Sequence, residues 1–116
     1  PAIRAGVFAH GKDSPGVAGI YVSTDDGRAW ARREGWPTDT RMGIVSPDAR
    51  TLYTSWKKVH RIDLATGAYR ELDLPFVAFG DLSLDAQGRL VASASAAADE
   101  GAIIAVTPET GAFERL

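Results

Sequence analysis

One local pattern occurs three times in this chain: a turn glycine followed within three residues by an aromatic. It reads Gly27-Arg28-Ala29-Trp30, then Gly67-Ala68-Tyr69, then Gly111-Ala112-Phe113. Glycine suits these positions because tight hairpin turns demand a positive φ that costs other residues energy. The steps from Gly27 to Gly67 and from Gly67 to Gly111 are 40 and 44 residues. A second echo, Ser46-Pro47-Asp48-Ala49 against Ser83-Leu84-Asp85-Ala86, recurs after 37. A unit of about forty residues built from four short strands is the period of stacked, blade-like sheets.

Taken in order, the chain predicts strands and almost nothing else. They fall at Ile3–His10, Gly19–Thr24, Ala29–Glu34, Met42–Ser46, Thr51–Trp56 and Val59–Leu64, then Ala68–Leu72, Gly80–Leu84, Arg89–Ser95, Gly101–Val106 and Ala112–Leu116. Alternating, β-branched and aromatic-rich runs bounded by Gly, Pro, Asp and Ser support each one. Gly35-Trp36-Pro37 and Thr38–Arg41 read as a linker, and Pro75 breaks the chain before the third unit. No stretch carries a helical apolar period; Ala94–Ala98 favours helix but has no amphipathic face.

The stretch Ser23-Thr24-Asp25-Asp26-Gly27-Arg28-Ala29-Trp30 fits the spacing S-x-D-x-G-x-x-W, with Gly19-Ile20-Tyr21-Val22 leading in. Asp25 is short enough to bond backbone N–H groups across its own turn. Trp30 covers the turn and keeps an N–H free to find a partner. On these residues the stretch resembles an Asp-box, the bacterial neuraminidase repeat of sialidases, sortilin-like receptors and related β-propellers. The resemblance implies a folding element on the outer hairpin of a blade, away from any chemistry.

The expected architecture is therefore all-β: a β-propeller segment of about three four-stranded antiparallel blades, the first lacking its inner strand. The blades run over about 2–40, 41–76 and 77–116. Propellers usually close with four or more blades, and an open segment leaves apolar sheet faces bare. The expected partners are thus the remaining blades of a longer protein, or further copies of this chain. A free-standing open stack and a compact non-propeller β-sandwich are the structural alternatives.

Bulk properties narrow the function classes. The formal net charge is −2, and no basic run exceeds Arg32-Arg33 or Lys57-Lys58, which argues against a nucleic-acid footprint. Cysteine is absent, so there is no disulfide framework and no thiolate site. No apolar run approaches a membrane span. Pro1 without a preceding Met reads as a mature product or a piece of a longer chain, with a secreted or periplasmic location favoured over the cytoplasm.

In a propeller the connections from each outer strand to the next inner strand share one face with the second-to-third-strand connections. That face collects His10–Gly19, Trp36–Arg41, Trp56–Lys58, Leu74–Gly80 and Ala96–Glu100. Asp81, aligned with Ile44 of the preceding unit by the Ser46/Ser83 echo, is a candidate for binding a cation or a sugar hydroxyl or acting as a base. Its plainer role is to bond neighbouring backbone N–H groups. Trp36 and Trp56 are candidates for a sugar-stacking platform, or else apolar covers. His10 and Lys12 lie in a Gly/Pro loop, where a lone His without a second ligand more often has no special role.

No sialidase arginine cluster, Tyr–Glu pair, Gly-rich phosphate loop, metal cluster or serine elbow is recognisable. The sequence thus predicts no catalytic residue, metal or cofactor, and leans away from an enzyme. It predicts a module for binding or scaffolding, with a carbohydrate or a protein as ligand. The alternatives are a segment of a sialidase-like glycoside hydrolase whose catalytic groups lie elsewhere, and a self-assembling lectin-like module.

Overall fold

The computed structural model describes residues 4–8, 19–38, 40–96 and 101–116, with residues 4–8 known by backbone alone. The described residues form eleven strands and no helix. These are β1 (Arg4–Phe8), β2 (Gly19–Ser23), β3 (Ala31–Arg32), β4 (Thr40–Val45), β5 (Thr51–Trp56) and β6 (Val59–Asp63), followed by β7 (Tyr69–Leu72), β8 (Ala78–Leu84), β9 (Leu90–Ser95), β10 (Gly101–Val106) and β11 (Phe113–Arg115).

They make three antiparallel sheets taken up in chain order. The first holds β1-β2-β3, the second β4-β5-β6-β7 and the third β8-β9-β10-β11. Every pairing joins sequence neighbours, as short turns require. β5 packs on β8 of the following sheet, as β1 packs on β4.

Two apolar seams hold the sheets together. Ile20, Val22 and Trp36 from the first sheet and its exit meet Leu52, Ile62 and Leu64 of the second. On the other side of the second sheet, Tyr53, Val59 and Leu72 meet Phe79, Leu90, Ala92, Ala94, Ile104 and Val106 of the third, with Phe76 between them. Period-two alternation explains the division: successive side chains on β5 face opposite sheets, so Leu52 enters one seam and Tyr53 the other. Fully burying each such side chain contributes roughly 1.5–3 kcal/mol.

Several boundaries differ from expectation. The strand expected over Ala29–Glu34 is reduced to Ala31–Arg32, because Ala29 and Trp30 are held in the preceding turn and Gly35 turns the chain away at φ 82°. Thr40 and Arg41, expected in a linker, belong to β4. β8 begins at Ala78, ahead of Gly80.

Both β4 and β8 break register near their starts, between Thr40 and Met42 and between Phe79 and Leu82. Such bulges bend a strand and re-aim its side chains.

The echo between Ser46 and Ser83 is two residues out of step with the structure. The Ser46 N–H bonds to Thr51 O and the Ala49 N–H to Ser46 O; the Asp85 N–H bonds to Arg89 O and the Gly88 N–H to Asp85 O. Ser46 is therefore the counterpart of Asp85, and Ala49 (φ 60°) that of Gly88 (φ 79°). The first turn is also one residue longer than the second. Counting back from the pairs Val45–Leu52 and Leu84–Leu90, Asp81 matches Met42 rather than Ile44.

Candidate functional site

The best-defined local constellation is the β2–β3 turn. Ser23 is buried at its start, and its hydroxyl accepts the Gly27 N–H at 2.9 Å and donates to Asp25 Oδ1 at 2.8 Å. Asp25 Oδ1 also accepts the Ala29 N–H at 2.9 Å. The Trp30 indole N–H donates to Gly27 O at 3.0 Å while its ring stays 45% exposed. Gly27 takes φ 84° and Asp26 φ 62°, the left-handed region that closes the turn. The Ala29 N–H and the Ser23 hydroxyl, both donating to the charged form, hold the Asp25 carboxyl below its usual value.

The corresponding turns of the other sheets are wired differently. The Gly67 N–H bonds to Asp63 O and the Gly111 N–H to Thr107 O, both at 2.8 Å and both glycines at φ 79°. The Thr66 and Thr110 hydroxyls each accept the N–H two residues on, at 3.2 Å. All these side-chain bonds serve the turns themselves.

The residues expected at a ligand face are scattered. Trp36 is 9% exposed, and its indole N–H donates to Gly67 O at 2.9 Å, tying the exit of the first sheet to the β6–β7 turn. Trp56 sits at the β5–β6 connection, the opposite end of the second sheet. The two tryptophans therefore do not share a platform. Asp81 is exposed on β8 and lines a shallow hollow of about 210 Å³ with Ser83, Val91, Ser93 and Ile103. His10 and Lys12 lie outside the described residues.

Around Trp56 the structure brings in Arg41, the last residue of a segment expected on the same face but not singled out by the sequence as a site residue. The Arg41 guanidinium carbon stands 3.8 Å from the indole centroid, and Lys57 Nζ stands 5.1 Å from it. Such contacts contribute about 0.5–1 kcal/mol at exposed sites. Lys58 pairs with Glu71 at 3.1 Å. The β5–β6 end thus presents a half-buried indole flanked by cations, with Arg41 covering one ring face. Arg41 sits at the β4 bulge, and a bulge leaves no signal in the apolar alternation.

Among the described residues, no group of three or more His, Cys, Asp or Glu is placed to hold a metal ion, and no helix is long and apolar enough to cross a membrane. Comparisons with protein-family models, with characterised proteins and with solved structures return no match to this chain.

Proposed function

We propose that this chain is a section of a β-propeller serving as a binding or scaffolding module, and that its β2–β3 turn is an Asp-box. The single observation that carries the reading is the burial of equivalent strands. β5, in the middle sheet, is buried on both faces; β9, its counterpart in the third sheet, alternates between buried and half-buried positions. Positions covered by the next sheet in the second unit are only partly covered in the third by the described residues. Tyr53 and Val59 are 5% and 1% exposed. By strand register their counterparts are Val91, half-buried, and Ile103, 50% exposed. An apolar face repeated in this way fits a further sheet of the same kind, from the same protein or from another copy.

The ligand surface of such a module would lie at the end bearing Trp56, Arg41 and Lys57, whose cations and indole suit an anionic or sugar-like partner. Among the described residues the side chains gathered around Trp56 are Arg41 and Lys57, cations suited to binding an anionic or polar partner. Native mass spectrometry combined with an apolar-surface dye tests the reading. Support is either assembly into multiples of the 12.3 kDa chain, lost on Ile103→Asp, or a monomer that binds dye and loses the dye signal on the same change. A monomer that binds no dye contradicts it.

A further inference from the structure

A second hollow, of about 260 Å³, lies at the opposite end of the second sheet. It is lined by Thr51, Arg61, Asp63, Ala68, Tyr69 and Arg70. Arg61 and Arg70 stand directly opposite each other on β6 and β7. Like charges in that relation destabilise a sheet unless something offsets them. Arg70 is anchored: its Nη2 donates to Pro108 O at 2.8 Å and to Glu109 O at 2.6 Å, in the β10–β11 turn of the third sheet.

Arg61 has no such anchor. Among the described residues its Nε is shielded from solvent and has no acceptor. A shielded charged donor without a partner is costly. Among the described residues Asp63 is the one carboxylate lining the hollow, and its Oδ1 already accepts the Ala65 and Thr66 N–H groups. Two guanidinium charges against one carboxylate leave the hollow net positive.

We propose that this hollow binds a small free oxyanion, a phosphate or a carboxylate, held between the guanidinium groups of Arg61 and Arg70. A guanidinium fork matches either oxyanion in paired hydrogen bonds. The anion relieves the Arg61–Arg70 repulsion and supplies the acceptor that Arg61 lacks. Because Arg70 is tied to the third sheet, an occupied site braces the second sheet against the third. The site is separate from the Trp56 end and does not rest on the propeller reading.

The test is NMR of the arginine Nε–Hε signals of the ¹⁵N-labelled chain. Inorganic phosphate and acetate are titrated separately, at ionic strength held constant with sodium chloride. The expected result is saturable shifts of the Arg61 and Arg70 signals with at least one of the two anions, accompanied by a rise in Tm. Saturation with phosphate alone assigns a phosphate site; saturation with acetate alone assigns a carboxylate site. Arg61→Gln should weaken binding about tenfold or more, read from the Arg70 signal. If that variant does not fold, Arg61→Lys, which keeps the charge but loses the fork, should also weaken it. Shifts that stay linear and match chloride, or unchanged affinity in the variants, overturn the proposal.

Discussion

β5 and β9 are the same strand in two settings. Both enter from a short turn, begin their apolar run with a leucine and pair on both sides. Leu52 and Leu90, which face the preceding sheet, are 1% and 0% exposed. The difference lies on the other face. There Tyr53 and Ser55 are buried under the third sheet, while Val91 and Ser93 are only half-covered. A strand's burial is therefore set by what stacks on it, and the middle sheet is the one whose requirement is met on both sides within the described residues.

Mutation pairs at these positions can break the comparison. The largest expected effect is Tyr53→Ala, which removes a large ring from a filled seam and should cost about 3–5 kcal/mol. Val91→Ala, at the matched open position, should cost about 1 kcal/mol or less. Equal losses in urea unfolding would show that the far face of the third sheet is as filled as the seam. Leu52→Ala and Leu90→Ala should behave alike, each losing about 2–5 kcal/mol. A large gap between them would mean that the two strands are not counterparts.

The turns sharpen the comparison at lower energy. Gly27→Val and Gly111→Val both force a β-branched residue into a positive φ, at about 1–3 kcal/mol each in thermal or urea melts. Ser23→Ala should cost about 1–2 kcal/mol, because the Gly27 N–H and the Asp25 carboxylate lose their common partner. Thr107→Ala, where the backbone carbonyl does the same task, should fall within about 0.5 kcal/mol of the parent.

Acid acts on the same turns. Asp25, Asp48 and Asp63 are held below the usual carboxylate range by hydrogen bonds. The donors are the Ala29 N–H and Ser23 hydroxyl for Asp25, the Ser46 hydroxyl and Arg50 N–H for Asp48, and the Thr66 and Ala65 N–H groups for Asp63. Burial pushes Asp85 up, but bonds from the Arg89 N–H and guanidinium outweigh it. A carboxyl whose folded pKa is depressed contributes stability above its unfolded value, near 4, and loses it as pH falls through the folded value. Unfolding monitored from pH 6 to pH 2 should therefore show stability falling below about pH 4. In amide exchange over that range, Gly111, whose N–H bonds to the backbone carbonyl of Thr107 in a turn not wired through a carboxylate, should keep its protection longer than Gly27. Loss at the same pH in both turns would contradict the assignment.

Much of the fold was legible because strands and turns leave local marks. The glycines at 27, 67 and 111 and the alternation in Thr51–Trp56 appear in the structure as positive-φ turns and as β5. The site was harder to read. Trp36 and Trp56 look alike as sequence, yet their settings depend on which turn each reaches across the sheets: Gly67 for one, Arg41 and Lys57 for the other. Likewise the Ser46/Ser83 echo matches Asp81 to Ile44, two residues from the Met42 that strand register gives it, because a repeated tetrapeptide does not show which of its residues close the turn. Long-range register and bulges carry that information, and single residues do not.

Amide hydrogen exchange resolved to single residues, comparing β5 with β9, tests the stacking account most directly. The account predicts that amides of β5, buried on both faces, exchange slowest of all, with those of β9 opening at lower free energy. Equal or greater protection in the third sheet would contradict it.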